Sequence, residues 1–221
     1  MMMQQSKKIK DVPEPTLKRL PGYLHYLQRT REQGIMSVSA PLIGADLSLD
    51  PTQVVKDLAV TGVKGKPRVG YNTYELIQAI EDFLGFNKPN EAFLFGAGNL
   101  GSALLAYPEL LEFGIKILAA FDVNPNIVGT TKGSVNVLHL DKFPDLGKRL
   151  RVEIGILTTP AKVSQEVVNL MISNGIRAIW NFSPTKITTP ENIVVQNTSM
   201  YSNAAVLLKK LHNLKEDDSL Q

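Results

Sequence analysis

Cysteine is absent from the 221 residues, and histidine occurs only three times. The first absence excludes disulfides and thiolate chemistry. The second leaves His25, His139 and His212 too far apart for metal-ligand spacing, so no metal site is expected. No apolar run is long enough to span a bilayer, and no charged-then-apolar leader opens the chain. A cytoplasmic protein is therefore expected. Net charge is also small, +3, until it is divided. Residues 1–71 carry 11 Lys and Arg against 6 Asp and Glu, whereas residues 72–221 carry 13 against 15. A basic front third suits an end of the molecule that meets a polyanion, with ordinary surface variation as the alternative.

What the chain does hold is a strand–turn–helix signal. Phe93-Leu94-Phe95 enters Gly96-Ala97-Gly98-Asn99-Leu100-Gly101, and a helical pattern through Leu104 and Leu105 leaves it. In this G-x-G-x-x-G, Gly96 turns the chain off a buried strand and Gly98 lets the backbone approach a pyrophosphate. Gly101 lets the helix pack close to the strand, with its positive end toward the phosphates. Ile115 to Phe121 reads as a second buried strand ending at Asp122, where a carboxylate can accept from an adenosine ribose. Val123, Asn124 and Pro125 offer no cation for a 2′-phosphate, which favours NAD over NADP. A glycine-bearing turn that binds nothing is the alternative.

In the front third, Pro13-Glu14-Pro15 introduces a helix with Leu17, Leu20, Leu24 and Leu27 at helical spacing; Pro21 should kink it and Gly34 stop it. A second helix starts at Ser39 with Pro41 in its first turn. Asp50-Pro51-Thr52-Gln53 caps a third, which buries Val54 and Leu58, turns Gln53 and Lys56 toward solvent and ends at Gly62. Lys66-Pro67-Arg68-Val69-Gly70-Tyr71 then reads as a Gly-bearing basic ribbon. Three short helices and a basic ribbon are the pattern of a winged helix, with the third helix in the major groove and the ribbon on the backbone or in the minor groove. Ser39, Thr52, Gln53, Lys56, Lys66, Arg68 and Tyr71 are the residues expected to meet DNA. A helical cap on the nucleotide domain is the alternative. A connecting helix opens at Asn72-Thr73-Tyr74-Glu75 and closes at Gly85, and Asn87 to Asn90 reads as a domain boundary.

Farther on, Val135 to Leu140, Ile154 to Thr158, Ile176 to Phe182 and Ile193 to Val195 read as strands. Thr159-Pro160 should cap a helix that buries Val163, Val167, Leu170 and Met171. Alternating strands and helices imply a mostly parallel, doubly wound Rossmann-type sheet. Ligands sit beyond the carboxyl ends of such strands, which brings Val123, Thr158, Thr159, Pro160, Asn181, Ser183 and Pro184 to the rim of the glycine turn. The last helix, from near Ser202, lines Ala204, Leu207, Leu208 and Leu211 on one stripe with no strand left to cover. It packs on its own domain or crosses to a second subunit. Residues 1–12 and 214–221 read as flexible ends, 13–86 as the winged-helix domain with its connecting helix, 87–200 as the NAD(H)-binding domain and 201–213 as a dimerisation helix.

The combination resembles the Rex family of redox-sensing transcriptional repressors. The resemblance runs from about Val12 to Leu211. It rests on Val12-Pro13-Glu14 with Lys18-Arg19-Leu20, Lys56-Asp57-Leu58, Val69-Gly70-Tyr71, Gly96 through Leu104, Ala119 to Asp122, Ile156-Leu157-Thr158 with Pro160, and Asn181-Phe182 with Pro184. It implies a homodimer whose C-terminal helices cross between subunits, and operator DNA bound with NAD⁺ and released with NADH. The chain departs from the family where DNA would be read. Val55 stands where the family carries an Arg, losing a bidentate guanine contact worth about 1–3 kcal/mol. Ala59, Val60 and Thr61 also differ, Pro67-Arg68 replaces Arg-Gly, and His25 and Ser199 stand where the family pairs Arg with Asp across the dimer.

Two other functions fit parts of the pattern. A small NAD-dependent dehydrogenase needs a proton donor near the nicotinamide, and the three histidines are poorly placed for it. A CoA- or nucleotide-binding module would use a similar glycine turn. A sensor without catalytic residues is the reading expected.

Overall fold

From Ala92 to Phe95 every side chain is apolar, and a strand of that kind persists only where both its faces are covered. It lies in β3 (Asn90–Phe95), at the centre of a seven-stranded sheet. The protein, seen here as a computed structural model, is described for residues 12–218. Residues 1–11, which include Lys7, Lys8 and Lys10, and residues 219–221 lie outside the described residues. The chain divides between Lys88 and Pro89 into two compact units.

The N-terminal unit comprises α1 (Glu14–Glu32), β1 (Ser37–Val38), α2 (Ala40–Leu47), α3 (Pro51–Leu58), a 3-10 turn over Ala59–Thr61, β2 (Tyr71–Asn72) and α4 (Thr73–Leu84). Three of the four helix starts are capped by a side chain, and α1, without such a cap, has Pro15 in its first turn. Ser39 accepts from the Leu42 N–H, Asp50 from the N–H groups of Thr52 and Gln53, and Asn72 from the Glu75 N–H, so orphan amides of the first turns are satisfied. Helix α1 runs on through Pro21 as a single element. Leu20, Tyr23, Leu24 and Leu27, on both sides of the proline, are buried in one core with Val54, Leu58, Leu76 and Ile80. That packing outweighs the roughly 3 kcal/mol a mid-helix proline costs.

In the C-terminal unit, β3 is followed by α5 (Asn99–Leu105), α6 (Glu109–Glu112), β4 (Ile115–Asp122), β5 (Thr131–Lys132), β6 (Val135–His139) and α7 (Phe143–Leu150). Then come β7 (Ile154–Leu157), α8 (Ala161–Ser173), β8 (Ala178–Asn181), β9 (Val194–Asn197) and α9 (Met200–Asp218). The sheet order is β5-β6-β4-β3-β7-β8-β9, parallel throughout except for the β5–β6 edge. The order of successive strands reverses between β3 and β7: β4 and β6 are added on one side of β3, and β7, β8 and β9 on the other. That is the switch point where doubly wound sheets open a crevice at their carboxyl edge. Phe93 and Phe95 point to one face, where Phe121 and the α7 residue Phe143 meet them edge-on or stacked at centroid distances of 4.8–5.9 Å. Ala92 and Leu94 point to the other, toward Leu105, Val137 and Ile156.

Three expectations need correction. Helix α8 starts at Ala161 with Pro160 as its cap residue, because the Thr159 hydroxyl is turned inward to the Ser164 hydroxyl. Its buried stripe is Ser164, Val167, Val168 and Met171; Val163 is 42% exposed because it stands on the crevice rim. Helix α9 starts at Met200 and continues through Lys215 to Asp218, so residues 214–218 are helical where a flexible tail is expected. No residue from Met200 to Glu216 is buried, and Leu207, Leu208, Leu211 and Leu214 stand open along the helix. Among the described residues no helix is long and apolar enough to cross a membrane.

Candidate functional site

The crevice lies beyond the carboxyl ends of β3 and β7, which stay paired to Phe95 and Leu157, where Gly96 turns the chain toward α5. Gly96 has φ of +98°, open to glycine and strained for any other residue. A Cβ there would also stand 3.0 Å from the Thr158 carbonyl. The turn is held on both sides. The Gly96 N–H donates to the Phe121 carbonyl at 2.8 Å, and the Thr158 hydroxyl lies 2.6 Å from the Gly96 carbonyl. A Cβ on Gly101 would overlap the Gly96 carbonyl oxygen, so α5 approaches the turn only because position 101 has none. At Gly98 a Cβ would meet nothing within 4 Å; it would project into open space.

The resulting crevice encloses about 620 Å³ and is lined by Gly96, Gly98, Asn99, Leu100, Asp122, Val123, Thr158, Thr159, Pro160, Ser183 and Pro184, among others. Three residues expected on the rim stand behind it. Ala97 is buried, and its N–H donates to Asp122 Oδ2 at 2.7 Å, so the carboxylate expected to meet a ribose also pins the glycine turn. Gly101 is the packing contact just described. Asn181 is buried with its amide fully used: Nδ2 donates to the Thr185 carbonyl and to Asn197, and Oδ1 accepts from the Ser183 N–H. It shapes the loop after β8 without facing the crevice. Ser164 was given no role by the sequence. Its hydroxyl lies 3.0 Å from Thr159 Oγ1 and 2.6 Å from Ser183 Oγ, tying together the loops after β7 and β8. Tyr201, in the first turn of α9, also lines the crevice and carried no sequence signal. His139 lies 3.1 Å from Asp141, while His25 and His212 are exposed elsewhere.

In the N-terminal unit a groove runs between α3 and the ribbon, lined by Ser39, Val55, Ala59, Lys64, Lys66, Arg68 and their neighbours. The ribbon closes through paired backbone bonds between Lys66 and Gly70. Its tip is a tight turn in which the Val69 N–H reaches the Lys66 carbonyl at 3.2 Å, with Pro67 in the second place and Arg68 in the third at φ of +63°. An arginine held there is strained by about 1 kcal/mol relative to glycine. Thr52 and Lys56 are exposed on α3, and Ser39 is half-buried at the start of α2.

Two expected contacts differ. Tyr71 is buried, with its ring under Gly65, and burial pushes its phenol pKa up; it is a floor for the ribbon. Gln53 turns its amide nitrogen inward to Asp57 at 2.9 Å. The reason is Asp57 itself, an acid on the buried stripe of α3 and only 1% exposed. Its two oxygens accept from Thr16 Oγ1, Arg19 Nε and Nη2, Tyr23 OH and Gln53 Nε2 at 2.6–2.9 Å. Burial alone would raise the Asp57 pKa, but these donors outweigh it and hold the carboxyl at about 2. A carboxyl whose pKa is lower folded than unfolded stabilises the fold above its unfolded value, here near 3.8, and loses that contribution as pH falls toward 2. The N-terminal unit should therefore lose about 2 kcal/mol between pH 5 and pH 2 in excess of its other carboxylates. Urea unfolding monitored across that range checks it, with Asp57→Asn lacking this component.

Known proteins fall in with this geometry. Residues 87–185 match the family described as "CoA binding domain", and residues 11–59 match "Putative DNA-binding protein N-terminus". A protein of Bacteroides fragilis named "Redox-sensing transcriptional repressor Rex" is 45% identical over 94% of each chain. Its namesake in Porphyromonas gingivalis is 47% identical over 92% of this chain and 93% of its own. Among solved structures, RSP in complex with β-NAD⁺ and operator DNA has a TM-score of 0.87 at 27% identity, covering 95% of this chain and 96% of that one. RSP in complex with β-NADH gives 0.84 at 26%, over 96% and 99%. Close to half of all residues shared with proteins matched over nearly their whole length, and both units accounted for, leave one conclusion: this chain belongs to the Rex family of redox-sensing transcriptional repressors.

Proposed function

We propose that this chain binds operator DNA through its N-terminal unit, holds NAD(H) in the crevice of its C-terminal unit, and leaves DNA when NADH replaces NAD⁺. The observation that carries the nucleotide part is the glycine turn: a crevice wall without a Cβ at Gly98, built on two glycines that tolerate no side chain. Gly98, Asn99 and Leu100 would take the pyrophosphate, and Asp122 the adenosine ribose through the lone pairs its two oxygens do not spend on the Ala97 and Asn124 N–H groups. Thr158, Thr159, Pro160, Ser183 and Pro184 would line the remainder. Val123, Asn124 and Pro125 supply no cation for a 2′-phosphate, which favours NAD(H) over its phosphorylated form and over CoA. The proposal includes no catalysis: hydride transfer would need a positioned proton donor, and the histidines lie elsewhere. Tyr201 is the residue a dehydrogenase reading would have to use.

Ser39, Thr52, Lys56, Lys66 and Arg68 form the proposed DNA face. The open apolar stripe of α9 supports a dimer, with a second copy as the cover for Leu207, Leu208 and Leu211. Such a regulator works in the cytoplasm, beside the chromosome. Anisotropy of labelled genomic fragments tests the whole reading: binding with NAD⁺ that NADH relieves supports it, and binding indifferent to both nucleotides refutes it.

Two expected results arise here. Trp180 is the single tryptophan, and its Nε1 donates to Thr198, a residue of the crevice wall, at 2.9 Å. NADH absorbs where tryptophan emits, so saturating NADH should quench Trp180 emission. Unchanged emission with binding confirmed by calorimetry would remove the ligand from this crevice. Arg68→Gly should relieve the turn and stabilise the N-terminal unit by about 1 kcal/mol, while weakening DNA binding and lowering its salt slope by about one charge. A variant neither more stable nor weaker on DNA would show that the strained arginine serves neither purpose.

A further inference from the structure

The outward face of α3 is poor in hydrogen-bonding groups. Val54, Asp57 and Leu58 are buried, and one N–H of the half-buried Gln53 amide is turned inward to Asp57. Pro51, Thr52, Val55, Lys56 and Ala59 remain exposed on the helix and its following turn. Beyond the first residue, Val55 and Ala59 are the aliphatic ones. Val55 is 46% exposed, and with Ala59 it lines a groove whose other walls carry Lys64, Lys66 and Arg68 and no carboxylate. An apolar strip between cations suits a polyanion that itself presents an apolar group. In the major groove of DNA that group is the 5-methyl of thymine.

We infer that Val55 and Ala59 read thymine methyl groups in the operator, so that sequence is discriminated there by apolar contact. The inference rests on the N-terminal unit being the DNA-binding part. Lys56, Lys66 and Arg68 supply the sequence-independent attraction, and Thr52 is the hydroxyl available to a base edge or phosphate. Val55 and Ala59 then set which base pair is tolerated between them. Methyl burial against a branched side chain accounts for about a fourfold affinity difference at one position.

The test uses the full chain with NAD⁺. Duplexes are selected from a randomised pool, and each thymine of the recovered sequence is replaced singly by deoxyuridine, which removes only the methyl. Wild-type affinity is expected to fall about fourfold at one or two positions in each half-site. Val55→Ala, an exposed change that leaves the core intact, should bind more weakly and lose that sensitivity. The inference is overturned if no deoxyuridine replacement alters affinity, or if Val55→Ala keeps the same sensitivity as wild type. Recovery of no duplex at all is a separate result, which removes the DNA reading itself.

Discussion

Asp57→Asn is expected to destabilise the N-terminal unit by about 3–5 kcal/mol, the scale seen when one partner is removed from a buried charged network. The size follows from the inventory around the carboxylate. Five donor atoms on Thr16, Arg19, Tyr23 and Gln53 converge on two oxygens. An asparagine of the same shape replaces one acceptor with an NH₂ group, so either the Tyr23 hydroxyl and Arg19 Nε, or the Thr16, Arg19 and Gln53 donors, would face a donor. Buried donors left without acceptors cost about 1–3 kcal/mol each before relaxation. Because Thr16, Arg19 and Tyr23 belong to α1 and Asp57 to α3, the loss falls on the contact between those helices. Amide exchange of α1 is the direct readout, and it should rise sharply in the variant with little change in β3 and β4. Exchange as slow as in wild type would mean that apolar packing alone holds α1, and that the network is dispensable.

Gly101→Ala should weaken NADH binding by about 5- to 150-fold, since overpacking against backbone costs about 1–3 kcal/mol and the displaced group is the crevice wall. The added Cβ overlaps the Gly96 carbonyl, and Gly96 is itself fixed by Phe121 and Thr158. Relief must therefore come from moving α5 or the turn. Gly98→Ala is the informative companion. Its φ of −65° is ordinary, and its Cβ would enter open space, so the variant should melt like wild type yet bind NADH poorly. Calorimetric titration of both variants separates a deformed turn from an obstructed one. Wild-type NADH affinity in Gly98→Ala would place the pyrophosphate elsewhere.

Much of this was legible in the residues. Cap residues at Ser39, Asp50 and Asn72 marked three helix starts to the residue, because side-chain acceptors for orphan amides are a local signal. The doubly wound sheet followed from unbroken apolar runs such as Phe93 to Phe95. Helix α7 was not visible: it has eight residues, and its anchor Phe143 is recognisable only from the Phe93, Phe95 and Phe121 rings that surround it. Polar side chains were the hardest to place. Tyr71, Gln53 and Asn181 carry groups suited to a ligand, yet each is committed inward by partners distant in the chain or by burial. Asp57 gave a faint sign, an acid between Val54 and Leu58 on an apolar stripe. Nothing local identified Thr16, Arg19 and Tyr23 as its donors, because that pairing spans 34 to 41 residues.

A repressor that leaves DNA when NADH binds must have its nucleotide crevice and its DNA face energetically linked. Such linkage is reciprocal: if NADH weakens DNA binding, DNA must weaken NADH binding by the same factor. The direct measurement is an NADH titration followed by Trp180 quenching, with and without a saturating duplex recovered from the pool. A coupling of 1–3 kcal/mol, the usual range, corresponds to a shift of about 5- to 150-fold in the NADH dissociation constant. The proposed reading predicts weaker NADH binding on DNA by a factor in that range. The same NADH affinity with and without DNA would contradict it.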